Sequence, residues 1–290
     1  IGPESALIRP GPQLQTPEPV IVHHLFRPLL AELLDVLRSL SEDEWAASTP
    51  CPAWSVHDLA LHLLDVDMGQ LSRERDGYVV SMIEATQWDD LISALNRKNE
   101  AWVKSARGIS PRLVTELLEF TGEEVASHIS SLDPYSAGPE VSWAGPAPAP
   151  VWLHAAREYT ERWHHQQQIR QATGRPLLTS KEMFSPVLET FARALPRAYE
   201  GVSASEGSIV KVVILGDAGS SWLLVCQGGS WALYVADDVS VPDAEVSIGQ
   251  EDAWQLFTRS ITKSEVLPRV TLSGNMGLGS KVLDTVAVIA

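Results

Sequence analysis

The chain has 290 residues, 44% of them hydrophobic, and a formal net charge of −15. At ~150 residues per domain, that length corresponds to about two domains, and such a composition can bury a core without disulfide or metal staples. The negative charge opposes nonspecific binding to nucleic acid or to an anionic membrane, and no apolar run approaches the ~20 residues of a membrane helix.

The opening "IGPESALIRPGPQLQTPEP", residues 1–19, is rich in Pro and lacks periodicity, so a flexible arm is expected there. The chain begins at Ile rather than Met, and further residues are expected ahead of it. From about 20 to 40, Leu29, Leu33, Leu37 and Leu40 make one apolar stripe at helical spacing. Pro28 either bends that helix or marks its true start. "SEDEW" reads as a cap and a short turn.

In "TPCPAWSVHDLALHLLDVDMGQLSRERDG" the prolines stop any helix before Ala53. Ser55 with Asp58 three residues on fits a loose capping box, and a helix is expected from Val56 to Arg75. Further helices are expected over about 86–107 and 110–130. "SLDPYSAGPEVSWAGPAPAP" reads as a long Pro/Gly loop placed to fold over a site. The next helix, about 151–173, ends at Gly174–Arg175–Pro176, a strong stop signal. Another spans about 182–199. The period then changes. "SIVKVVILG", "SSWLLVCQG" and "GSWALYVAD" read as three antiparallel strands and "AEVSIGQ" as a fourth. "EDAWQLFTR" reads as a short helix, and "NMGLGSKVLDTVAVIA" closes with a helix.

Chemistry concentrates in "EYTERWHHQQQ", residues 158–168. Glu161 and His165 lie four apart, so a helix stacks them on one face within reach of one cation. The helix beginning at Val56 carries His62 between Leu61 and Leu63. In a helix bundle, ligands come from facing helices and point inward. His62, Glu161 and His165 together give two imidazoles and a carboxylate, a set that suits Zn²⁺ with one position left for water or a substrate sulfur. Another divalent transition metal such as Fe, Ni or Co accepts the same donors. The alternative makes His62 a hydrogen-bonded core histidine and the other two a solvated pair.

At these residues the sequence resembles a known family. "TPCPAWSVHDLALHLLDVD" is similar to the Cys-Pro-x-Trp-Ser/Thr-Val-x-Asp-Leu-x-x-His-Leu signature of the mycothiol-dependent maleylpyruvate isomerase family, within the DinB-like metalloenzyme superfamily. "REYTERWHHQQQIRQATGRP" resembles that family's fourth bundle helix. "WQLFTRSIT" and "GNMGLGSKVLDTVAVI" resemble its closing segments, so the likeness spans roughly residues 20–290. It implies an all-α DinB-like four-helix bundle over 20–180, then a smaller α+β sterol-carrier-like domain over 181–290, counting the linking helix. The family's His, Glu and His ligands carry over onto His62, Glu161 and His165. One position departs: family members often have Asp three residues after the ligand histidine, and here it is Gln168, which cannot act as a base or counter a cationic group.

The resemblance implies mycothiol as a cosubstrate and an isomerase or thiol S-transferase acting on a small electrophile. Asp58, and with it Asp65 or Asp67, is a candidate for orienting a ligand imidazole through its second nitrogen. Arg157 and Arg162 are candidates for holding a carboxylate of substrate or thiol, and His164 is read as a neighbour without a role. Two alternatives stay open: a thiol-independent metalloenzyme of the same fold (hydrolase, lyase or specialised biosynthetic enzyme), or a non-catalytic small-molecule binder. No nucleic-acid or membrane partner is expected. Only two cysteines occur and no secretory segment is visible, so a reducing cytoplasm is the expected setting. Cys51 is read as packing beneath Trp54 rather than as a nucleophile, and Cys226 as core. "GNMGLGS" lacks the Lys of a phosphate loop and reads as a turn. The ten scattered tryptophans fit core and interdomain packing.

Overall fold

The structure is a computed structural model and describes residues 14–79, 88–141, 148–236 and 241–287. Its first half holds helices α1 (Phe26–Arg38), α2 (Glu42–Trp45), α3 (Val56–Gln70), α4 (Trp88–Ala106), α5 (Pro111–Ser131) and α6 (Val151–Ala172). A two-stranded hairpin, β1 (Ala137–Glu140) and β2 (Pro148–Pro150), lies between α5 and α6. Helices α1, α5, α3 and α6 pack around one axis as a four-helix bundle, and α4 lies outside against α3.

Local chemistry sets these boundaries. Ser55 accepts from the Asp58 N–H while Asp58 accepts from the Ser55 N–H, which completes the expected capping box of α3. Ser41 and Glu44 cap α2 in the same way. Pro28 sits in the first turn of α1, where its missing N–H has no intrahelical partner to lose. Helix α6 stops as expected. Gly174 adopts φ +64°, its N–H donates to Gln171 O, and the Arg175 N–H donates to Arg170 O. Helix α3 ends at Gln70 rather than Arg75, since residues Leu71–Arg75 widen into a π turn. The Pro/Gly loop contains the hairpin, in which Ala137 pairs with Pro150 and Glu140 with Pro148. Proline tolerates this because β2 has a neighbour on one side only. Residues 142–147 of that loop lie outside the described residues.

The bundle core is split. One apolar cluster gathers Leu33, Leu37, Leu59, Leu63, Val114, Leu118 and Ile169. A second takes Leu25, Leu29, Leu71, Val125, Ile129, Tyr159 and Trp163 and continues into the following sheet. Between them runs a buried polar layer of Asp67, Gln70, Thr121, Glu158 and Arg162.

After the bundle come α7 (Lys181–Ala192) and α8 (Leu195–Ala198), then β3 (Ile209–Leu215), β4 (Ser221–Gln227), β5 (Ser230–Tyr234), β6 (Ala244–Gly249), α9 (Gln250–Phe257), α10 (Lys263–Val266), β7 (Thr271–Gly274) and α11 (Met276–Gly279). The five strands order as β5-β4-β3-β6-β7. Strands β3, β4 and β5 are antiparallel as expected, whereas β6 runs parallel to β3. Alternate residues Val210, Val212 and Ile214 of β3 and Ala244, Val246 and Ile248 of β6 face the core. Strand β7 was not expected: it is four residues long, mostly exposed and without an apolar alternation. The closing helix is shorter than expected, being α11 followed by a 3-10 turn, Ser280–Asp284, and residues 288–290 lie outside the described residues.

Aromatic rings join the two halves. Trp163 of α6 stacks on Phe184 of α7 at 5.0 Å and meets Trp254 of α9 edge-on at 5.4 Å. Such pairs each add about 0.5–1.5 kcal/mol beyond the area they bury. The expected flexible arm is pinned over residues 14–19. Gln15 bridges to Val235 beyond the β5 edge, and the Pro17 and Glu18 carbonyls accept from Arg193. Residues 1–13 lie outside the described residues. Among the described residues no helix is long and apolar enough to cross a membrane.

Candidate metal centre

Helices α3 and α6 pack against each other and bring His62, Glu161 and His165 together. One ligand atom from each lies within 4.8 Å of the other two. Glu161 Oε1 is 3.2 Å from His62 Nε2 and 3.2 Å from His165 Nε2. Donors around a tetrahedral centre with bonds of ~2.0–2.1 Å stand about 3.3 Å apart, so both histidine–glutamate pairs are already at ligand spacing. The donor set therefore fits a divalent cation. The His62 side chain is 5% exposed, His165 13% and Glu161 29%, so the cluster is buried from the helix side and open on the carboxylate side.

The charge states follow from these contacts. Burial pulls the Glu161 pKa up, but the His165 and His62 imidazoles outweigh it and hold the carboxyl well below its ordinary value. Burial lowers the His62 pKa, which favours the neutral imidazole that a ligand requires. For His165 burial also acts downward, yet attraction to Glu161 wins and the pKa rises. A cation entering the site displaces that proton.

The structure redistributes the expected supporting roles. Asp58 caps α3 and pairs with Arg107 at 2.9 and 3.0 Å; it does not hydrogen-bond to His62. Asp65 pairs with Lys98, and Asp67 with Arg162 and Thr121. The group that orients His165 is Gln168, whose Oε1 accepts from Nδ1 at 2.8 Å. With Nδ1–H committed to Gln168, Nε2 is the nitrogen that shares its proton with Glu161 here and becomes the free donor once a cation displaces that proton. The signal was present in the sequence as the three-residue spacing on one helix. As a neutral amide Gln168 departs from the family's Asp, yet its oxygen accepts a hydrogen bond as a carboxylate does. Gln168→Leu is expected to weaken divalent-metal affinity about 10–100-fold with the fold intact, as read by competition with a chromophoric chelator.

The two arginines differ. All five N–H groups of Arg162 are engaged inside the bundle, by Asp67, Gln70 and the Glu158 carboxylate and carbonyl. No donor edge remains for a ligand. Arg157 contacts Glu158 and His154 and keeps 35% of its side chain exposed. Other nearby histidines stay outside the cluster: His57 reaches Ile109 O, His154 reaches Glu74, and His164 packs on Trp254. Burial and the neighbouring His165 push the His164 pKa down to about 3. Cys51 is half-buried and burial raises its pKa, which makes it a poor nucleophile.

The family profile described as the mycothiol maleylpyruvate isomerase N-terminal domain matches residues 26–170, half of the chain and a span that contains all three clustered residues. Among solved structures, the crystal structure of the mycothiol-dependent maleylpyruvate isomerase is similar over 87% of this chain and 91% of its own. Its identity is 12% and its TM-score 0.52, which shows a shared fold. A histidine-to-alanine mutant of that isomerase gives 13% identity and a TM-score of 0.47 over the same shares. The sterol carrier protein domain 2 of Helicoverpa armigera, in solution, is similar over 35% of this chain and 84% of its own, at 19% identity. Its TM-score of 0.27 carries no fold assignment; the α+β character of the second half rests on the sheet itself. No curated protein sequence matches the chain. The chain belongs to the family of the mycothiol maleylpyruvate isomerase N-terminal domain.

Proposed function

We propose that this chain is a divalent-metal-dependent, mycothiol-dependent enzyme, an isomerase or a thiol S-transferase, that acts on a small electrophilic substrate. The observation that carries the reading is the convergence of His62, Glu161 and His165 on one point with an open side. Zn²⁺ is the metal this donor set suits best. A divalent cation held there would lower the pKa of a thiol and present it as a nucleophile.

The chain's own residues prepare that chemistry. Glu161 supplies the negative charge, His62 a neutral nitrogen, and Gln168 the tautomer of His165. Arg157, partly exposed beside Glu158, is the remaining candidate for a substrate or thiol carboxylate. Addition of a thiol to a conjugated cis double bond, rotation about the resulting single bond and elimination of the thiol convert cis to trans. Release of the adduct instead is transfer. A thiol-independent metalloenzyme of the same fold is the second reading. Gln168 favours it, since a neutral amide stands where family members often carry Asp.

The test is turnover of a cis-configured conjugated acid with mycothiol present or absent, using protein before and after chelation. Conversion that needs both thiol and metal supports the proposal, with thiol recovered for an isomerase and consumed for a transferase. Conversion that survives omission of the thiol moves the assignment to the second reading. Conversion unaffected by chelation rejects both.

A further inference from the structure

The Cys-Pro-x-Trp stretch ahead of α3 contributes no ligand, yet it sits against one. A metal-bound histidine ordinarily donates its other ring N–H to a carboxylate, a carbonyl or water, and that bond fixes the ring. His165 has such a partner in Gln168. His62 has none: its Nδ1 is buried, and among the described residues nothing accepts from it. Asp58, one turn earlier on the same helix, is held by Ser55 and Arg107.

Two rings flank His62 instead. Trp54 lies 5.0 Å away between centroids at an interplanar angle of 43°, and His165 meets it edge-on at 4.7 Å and 83°. The second torsion of histidine is broad and has no sharp minimum of its own, so neighbouring surfaces choose its value. Trp54 is itself fixed. Its carbonyl accepts from the Thr49 N–H at 3.3 Å and the Thr49 hydroxyl at 2.8 Å, and its N–H donates to Cys51 O at 3.0 Å. Pro50 and Pro52 restrict the backbone of that turn. The Val56 N–H donates to Ala47 O, which ties the turn to the first residue of α3. The backbone that carries the indole is thus fixed relative to the helix that carries His62, and the ring packs against the apolar cluster of that helix.

We propose that Trp54 is a positioning residue for His62, doing by ring packing what Gln168 does for His165 by a hydrogen bond. The inference rests on the metal-centre reading above and adds a task for the tryptophan of the signature. It also explains why Asp58 can be committed to the helix cap.

The experiment measures divalent-metal affinity by chelator competition, together with the visible absorption of the Co²⁺-loaded protein. It uses unsubstituted protein, His62→Ala, Trp54→Phe and Trp54→Leu, each checked for a native far-UV spectrum. Trp54→Met, whose unbranched side chain fills irregular gaps, replaces Trp54→Leu should that variant not fold. The expected result is affinity about 10–100-fold weaker in Trp54→Leu with an altered Co²⁺ spectrum, and Trp54→Phe close to the unsubstituted protein. A purely structural tryptophan would lower Tm and leave both metal readouts unmoved. Affinity within twofold and an unchanged spectrum in Trp54→Leu overturn this inference alone. No metal binding by the unsubstituted protein overturns the metal-centre reading and this inference with it.

Discussion

Purified protein is expected to carry about one equivalent of a divalent metal, and His165→Ala is expected to lose it while remaining folded. Removing a ligand should exceed the ~10–100-fold loss typical of an orienting partner, so occupancy in His165→Ala should fall below detection by elemental analysis. The fold should survive because nothing in the core depends on the cluster. Two apolar clusters, one continuous with the sheet, surround α3 and α6 independently of it. Small metal-folded domains behave oppositely, since metal binding there supplies the folding free energy. The far-UV spectrum and Tm of His165→Ala should therefore stay near those of the parent. Absence of metal from both proteins, under conditions that retain it, would remove the enzyme mechanism and favour the small-molecule binder.

Arg162→Met is expected to destabilise the bundle strongly. The Arg162 side chain is 11% exposed and neutralises Asp67, 5% exposed, and Glu158, 7% exposed. Burial raises the pKa of Glu158, but Arg157 and Arg162 overcome it and hold the value at about 2. Removing Arg162 leaves two buried carboxylates short of their counter-charge, and breaking a buried pair in this way costs about 3–5 kcal/mol. Urea unfolding should show the loss as a lower midpoint. Adding Asp67→Asn to Arg162→Met should recover part of it, because the second uncompensated charge goes too. A midpoint shift worth less than about 1 kcal/mol would mean that the layer is solvated and not structural. The same network explains why Arg162, plausible from its place beside Glu161, does not serve a ligand: its donors are all committed within the bundle.

Much of the architecture was legible because it is written in short-range chemistry. The Ser55–Asp58 cap, the Gly174 stop and the Leu29, Leu33 and Leu37 stripe of α1 depend on residues a few positions apart and appear in the structure, while Leu40 falls past the end of the helix. The signature around His62 pointed to the family that the profile match shows. The triad was assembled from spacing and resemblance, and the packing of α3 on α6 brings its three donors together.

What the residues could not reveal on their own were choices among equivalent partners. Asp58, Asp65 and Asp67 each lie within reach of the ligand helix face in a sequence reading. Their actual partners are Arg107, Lys98 and Arg162, supplied by the turn after α4, by α4 and by α6 from far along the chain. A carboxylate goes to the nearest cation, and which cation is nearest is decided by packing. The parallel pairing of β3 with β6, the edge strand β7 and the pinning of Gln15 on Val235 are likewise long-range contacts with little local signature. So the helices and their caps were set by local pattern, because 3.6-residue periodicity and capping act within a few residues, whereas the three candidate ligands came from the Glu161–His165 spacing together with the family resemblance. Which groups orient those donors, Gln168 by a hydrogen bond and Trp54 by packing, was decided only when the chain closed on itself and fixed each side chain's neighbours.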